Sequence, residues 1–213
     1  MSCFLVFALM FVGVSVDNTI AQQPAPSLSA MVLFGIPSVN EIKQNPAKKK
    51  DECLQRYLTA VPAKSFLLSS AVPSGPEDTL NYRRRNLQEQ IVVIMGDEAR
   101  REAKAFSQAV PLYVEWEGMS KNPLNEANFI DNWLMKRPGT PIAAFLYIFK
   151  AHRLRAGYEA ARAGREKGLW PVLSLQYNEA LEKAVSFHHP LISCIAKDIK
   201  LQPYVYMEGY GRP

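Results

Sequence analysis

The chain predicts an all-α fold, either an irregular helical bundle or a short array of antiparallel helical hairpins. Three observations predict it. From about residue 47 to residue 203, apolar side chains recur at three- and four-residue steps in one segment after another. Proline and glycine fall at the edges of those segments, where helices start and stop. No two alternating segments are joined by a hairpin turn, and the one short alternation runs from Leu112 through Val114 to Trp116.

Residues 1–21 stand apart. Phe4 to Val16 is an apolar run without a charged residue, followed by Asp17 and Asn18, with Thr19 and Ala21 supplying small side chains before a cut after Ala21. That outline is a signal peptide, and the run is too short to span a bilayer comfortably. No Lys or Arg precedes it, so the amino terminus alone supplies positive charge; the alternative is a buried first helix of the domain. Export to a periplasmic or extracellular location is the expectation, with no transmembrane anchor left after cleavage. Cys3 would leave with the leader, and the two remaining cysteines, Cys53 and Cys194, are either a disulfide that an oxidising compartment permits or two separate buried thiols. No CxxC and no Cys/His cluster is present, so neither a structural metal nor a cofactor is expected.

Residues 22–46 carry Pro24, Pro26, Pro37 and Pro46 around the apolar stretch Met31 to Ile36. This reads as an extended linker that docks a short piece or stays loose. The helical domain, residues 47–203, opens with a segment from Lys48 to Thr59 that puts Cys53, Leu54, Tyr57 and Leu58 on one side. Lys48, Lys49 and Lys50 oppose a helix dipole there, so they precede the first turn or meet an anion.

Ser74 to Glu77 has capping-box spacing with an early proline, and Leu80, Leu87, Ile91 and Ile94 carry the next helix to Gly96. Asp97 is placed to cap a helix with Ala99, Ala103, Phe106 and Val110 inward, ending at Pro111. Asn122-Pro123 opens a helix through Ala127, Ile130, Trp133 and Leu134. Pro138-Gly139 closes it, and Thr140-Pro141 opens the longest one, with Ile142, Phe145, Phe149, His152, Ala156 and Ala160 on one face up to Gly164. So short a turn makes these two antiparallel neighbours. The hairpin from Asn122 to Gly164, with its bulky aromatics and proline turn, resembles one unit of a tetratricopeptide array. The resemblance covers about a fifth of the chain and has no second copy in register.

Trp170, Leu173, Tyr177, Leu181 and Ala184 mark the next helix, and Ile192, Ile195 and Ile199 the last, between Pro190 and Leu201. Residues 204–213 form an aromatic tail without helical period, which packs Tyr204 and Tyr206 or offers them to a partner.

Chemistry is sparsely signalled. Net charge is +5, a mildly basic balance that favours anionic partners without choosing among them; nucleic acid is not expected of an exported protein. His152 lies on the apolar face of the longest helix and shares a patch with Arg155, Glu159 and Arg162, so it is either an acid/base group or a core histidine satisfied by neighbours. The patch also reads as an ion-pair ladder. Glu115, Trp116 and Glu117 follow the Pro111 break; paired carboxylates with an aromatic suit glycosidase chemistry, although residues two apart on a helix diverge. His188-His189-Pro190 reads as a turn before the last helix rather than a metal site, and Arg83-Arg84-Arg85 as a solvated helix face. Phosphate loops, dinucleotide fingerprints and a nucleophile elbow are absent from the sequence.

The expectation is an exported helical binding or scaffold protein with a groove for a protein, peptide or envelope component, using Trp116, Arg155, Glu159 and Arg162. One alternative is a cell-envelope hydrolase with a dispersed site at Glu115, Glu117 and His152. The other is a basic module that holds anionic polymer. The sequence does not set the oligomeric state.

Overall fold

The computed structural model describes residues 52–68, 75–113 and 119–201. Those residues form seven α-helices and no strand: α1 (Glu52–Ala60), α2 (Pro76–Met95), α3 (Arg100–Ala109), α4 (Lys121–Lys136), α5 (Ala143–Ala163), α6 (Trp170–Val185) and α7 (Pro190–Leu201). Residues 1–21, expected as a leader, the proline-rich residues 22–46, residues 204–213 and Glu115-Trp116-Glu117 lie outside the described residues.

The apolar periodicity locates every helix, while several starts differ from the capping signals. Gly75, in extended conformation, precedes α2 and has no side chain to cap it; Pro76 opens the helix, and its missing N–H removes one orphan donor. Asp97 does not cap α3 either. It sits in a 3-10 turn, Asp97–Ala99, and receives Arg100 at 2.5 Å, which takes its carboxylate away from the backbone. Gly96 and Gly139 hold φ of 94° and 81°, and both mark chain reversals that a side chain would strain.

Helices adjacent in sequence pack as antiparallel pairs: α2 with α3, α4 with α5, α5 with α6 and α6 with α7. The α5–α6 seam is the most extensive, and α5 also touches α2 and α7. Accordingly 13 of the 21 residues of α5 are buried, among them Phe145, Leu146, Ile148, Phe149, His152, Arg153 and Leu154. A helix apolar nearly all round belongs inside a bundle. Phe106 of α3 anchors a second layer, with its ring 5.3 Å from Trp133, 6.0 Å from Phe129 and 6.2 Å from Phe149.

The three consecutive arginines of α2 do not form one solvated face. Arg84 Nη1 donates to the carbonyls of Ser107, Gln108 and Val110 at 2.6, 2.8 and 3.1 Å, closing the orphan C-terminal end of α3. Arg85 lies over the Phe66 ring at 5.6 Å. Arg83 is half-buried and its charge reaches the centre of the bundle.

Two contacts fix the packing. Cys53 of α1 and Cys194 of α7 form a disulfide with Cα atoms 5.5 Å apart, across 141 residues of sequence. At Gly157, midway along α5, a β-carbon would lie 2.5 Å from Leu124 Cδ2 and 2.8 Å from its Cγ, so the absent side chain sets how closely α4 crosses α5.

Opening the disulfide with Cys194→Ser is expected to cost about 5 kcal/mol at the limit of chain entropy for so long a loop. Denaturant melts with and without reductant measure it, and the variant should be indifferent to reductant. Gly157→Ala should lose about 1–3 kcal/mol by overpacking. A concurrent Leu124→Ala should return part of that loss, and a fully additive double mutant would contradict the contact.

Candidate functional site

A small polar cluster is buried within the apolar core of the bundle. Arg153 and Glu126 are 1% and 0% exposed, and Arg153 Nε donates to Glu126 Oε2 at 2.5 Å. A guanidinium only donates, so the 2.7 Å contact from Arg153 Nη1 to His152 Nδ1 makes that nitrogen an acceptor and leaves the ring proton on Nε2. Arg153 also lies over the Phe149 ring at 3.9 Å. Across the core, the Tyr57 hydroxyl donates to Gln90 Oε1, and Gln90 Nε2 donates to Asn86 Oδ1 at 3.2 Å.

Burial governs the ionisation of this cluster. It lowers the Arg153 guanidinium to about 10 while Glu126 pulls the other way, so Arg153 keeps its charge at neutral pH. Burial, then the charges of Arg153 and Arg83, holds His152 well below its ordinary value. Burial also pushes the Tyr57 hydroxyl up. His152 is therefore a neutral acceptor inside the core, 1% exposed. In this arrangement no external substrate meets its ring, as acid/base work would require. Arg155 and Glu159, three and seven residues on, are half-buried, and Arg162 is exposed.

Those three gather on the outer strip of α5 toward α6. Arg155 Nε donates to Glu159 Oε1 at 2.5 Å, and Arg155 lies 5.7 Å from the Tyr177 ring of α6. Burial raises the Tyr177 hydroxyl, with Arg155 opposing. One turn on, Arg162 is exposed and stands 5.8 Å from each of the Tyr158 and Trp170 ring centres. A cation flanked by two aromatic rings, beside a carboxylate already neutralised, is equipped to bind by stacking and charge. It holds no nucleophile activated by a base.

Among the described residues no group of three or more His, Cys, Asp or Glu side chains is placed to hold a metal ion. His188 is exposed with φ 54°, and His189 is half-buried with its ring lowered by burial against an opposing bond to the Ile94 backbone. Glu115, Trp116 and Glu117 lie outside the described residues. Arg153, Glu126, Tyr158 and Trp170 are not among the site residues expected from the sequence. The usable signal for the last two was their spacing from Arg162, four residues before it and one helix start after it. No protein-family model matches the chain, and neither a curated protein nor a solved structure does.

His152 makes stability depend on pH. Its folded value lies below the ordinary 6.5, so the unfolded chain binds more protons between the two values, and stability falls as pH drops below about 6.5, by at most about 1.4 kcal/mol per unit. His152→Gln should remove most of that slope in denaturant melts, leaving the part due to His189. Glu126→Gln strands the buried Arg153 charge and should cost about 3–5 kcal/mol.

Proposed function

We propose that the protein is an exported helical binding module that presents its α5–α6 face to a protein, a peptide or another component of the cell envelope. The observation that carries this reading is the gathering of Arg155, Tyr158, Glu159 and Arg162 with Trp170 on one face, over the buried Tyr177 ring, while the single histidine of α5 is sealed in the core. Export is supported by the leader outline and by the Cys53–Cys194 disulfide, a bond that persists in oxidising compartments outside the cytoplasm. No helix among the described residues is long and apolar enough to cross a membrane. We read the domain as a bundle closed around α5 rather than an open repeat array, because α1 touches α7 and α2 touches α5, contacts between helices distant in sequence.

A photoreactive amino acid at Tyr158 or Trp170, introduced in the producing cells, tests the reading. Irradiation should yield adducts to protein or lipid at these two positions and none at Met135, an exposed control 71% accessible at the end of α4. Yields equal to that control would overturn it. The adducts should persist in Glu115→Gln and Glu117→Gln. If these variants melt normally yet abolish the biological activity, a hydrolase using those carboxylates replaces the binding module.

A further inference from the structure

The corner between α5 and α6 combines two kinds of exposed surface. Every residue from Arg162 to Leu169 is exposed, and three of them are cations: Arg162, Arg165 and Lys167. The turn is tightly wound, with the Arg165 amide on the Arg162 carbonyl at 3.1 Å, the Glu166 amide on Ala161 at 2.8 Å and the Lys167 amide on Arg165 at 2.9 Å. Arg165 takes a left-handed φ of 59°, a conformation uncommon for a residue with a β-carbon. The one acid of the turn, Glu166, accepts the Ser120 hydroxyl at 3.0 Å on each of its oxygens. Three cations against one acid leave the corner positive.

Directly beyond it, Leu169, Val172 and Leu175 are 38%, 53% and 60% exposed. Leu169 ends the 3-10 turn Lys167–Leu169, and Val172 and Leu175 continue from it at three-residue steps into the first half of α6. Trp170, half-buried at the junction, stands between this stripe and Arg162. The acidic Glu179 and Glu182 enter the exposed side of α6 only in its second half, roughly 6 Å and more past Leu175 at the helical rise per residue.

We infer that this corner docks on a bilayer surface containing anionic phospholipid. The inference rests on the proposed α5–α6 binding face and names what that face meets. Exposed leucine and valine beside an indole, rimmed by Arg and Lys, match the boundary between headgroups and acyl chains: the apolar stripe enters, the indole sits at the interface and the cations meet phosphate. A soluble polyanion would satisfy the cations and leave Val172 and Leu175 in water. A second copy seated face to face would bring Arg162, Arg165 and Lys167 against their own images, which like-charge repulsion opposes.

Flotation of the full, disulfide-bonded chain with vesicles tests this, comparing phosphatidylcholine alone with phosphatidylcholine doped with phosphatidylglycerol. The chain should float with the doped vesicles only, and less as salt is added. Arg162→Gln, Arg165→Asn and Lys167→Gln should each weaken partition about fivefold; Asn keeps the left-handed turn open to Arg165. Leu175→Asp should weaken it by about tenfold or more, with the melting temperature unchanged since the side chain is exposed. Equal flotation on undoped vesicles, or indifference to Leu175→Asp, overturns the proposal. A photoreactive residue at Val172 separates its failure from that of the binding face. A protein adduct without flotation keeps the face and overturns the bilayer, whereas neither adduct nor flotation overturns both.

Discussion

A charged guanidinium in the middle of the bundle is the constraint to which the other elements conform. Taking Arg153 and Glu126 out of water costs several kcal/mol per ion, and only good geometry with further hydrogen bonds offsets it. Here the offset comes from three directions: the carboxylate of α4, the acceptor nitrogen of His152 and the face of Phe149. An apolar seam between α4 and α5 tolerates a slide of one turn with modest loss, whereas a slide that parted Arg153 from Glu126 would strand two buried charges. The pair therefore fixes the register of α4 on α5. Gly157 fixes their distance, since Leu124 occupies the space a side chain would need.

The location of the exposed chemistry follows from the same burial. Because α2, α4, α6 and α7 all touch α5, one strip of it is left to face outward, and Arg155, Tyr158, Glu159 and Arg162 occupy that strip at the i, i+3, i+4, i+7 spacing of a single helical face. A charged group on a covered side needs internal partners, and Arg153 finds them in Glu126 and in Nδ1 of His152. The outward strip ends where α5 ends, so its last cation, Arg162, is continuous with the exposed turn and with the first residues of α6.

Much of the fold was legible in the sequence. Long periodic runs bounded by Gly96, Pro138-Gly139, Gly164 and Pro190 locate the helices, because apolar spacing and backbone punctuation act locally. Helix starts were less legible. Asp97 has the right side chain for a cap, but Arg100 competes for its carboxylate, and that competition is decided only once both are placed. The central pair was illegible for a different reason. His152 and Arg153 are adjacent, and adjacent residues on a helix point about 100° apart, so a one-faced helix can bury only one of them. Both are buried because α5 is covered on nearly all sides, a property of its neighbours rather than of its own pattern. Arg155, Glu159 and Arg162 were legible as a group, since their spacing is local; their aromatic partner Trp170 comes from the next helix.

The disulfide acts on the fold through its shortest described α-helix. With nine residues, α1 is too short to persist alone in water, and the described contacts hold it from two sides. Cys53 joins it to α7, and Tyr57, one turn later on the same face, joins it to Gln90 of α2. It thereby closes the seam between the second and the last helix. The hydroxyl of Tyr57 is buried, so detaching α1 would take the Tyr57 donor from Gln90 Oε1, and a buried acceptor that loses its donor costs about 1–3 kcal/mol. A reducing environment removes one of the two anchors and places the whole burden on the other. The hold of α1 on α2 and α7 thus depends in part on a bond that an oxidising compartment maintains.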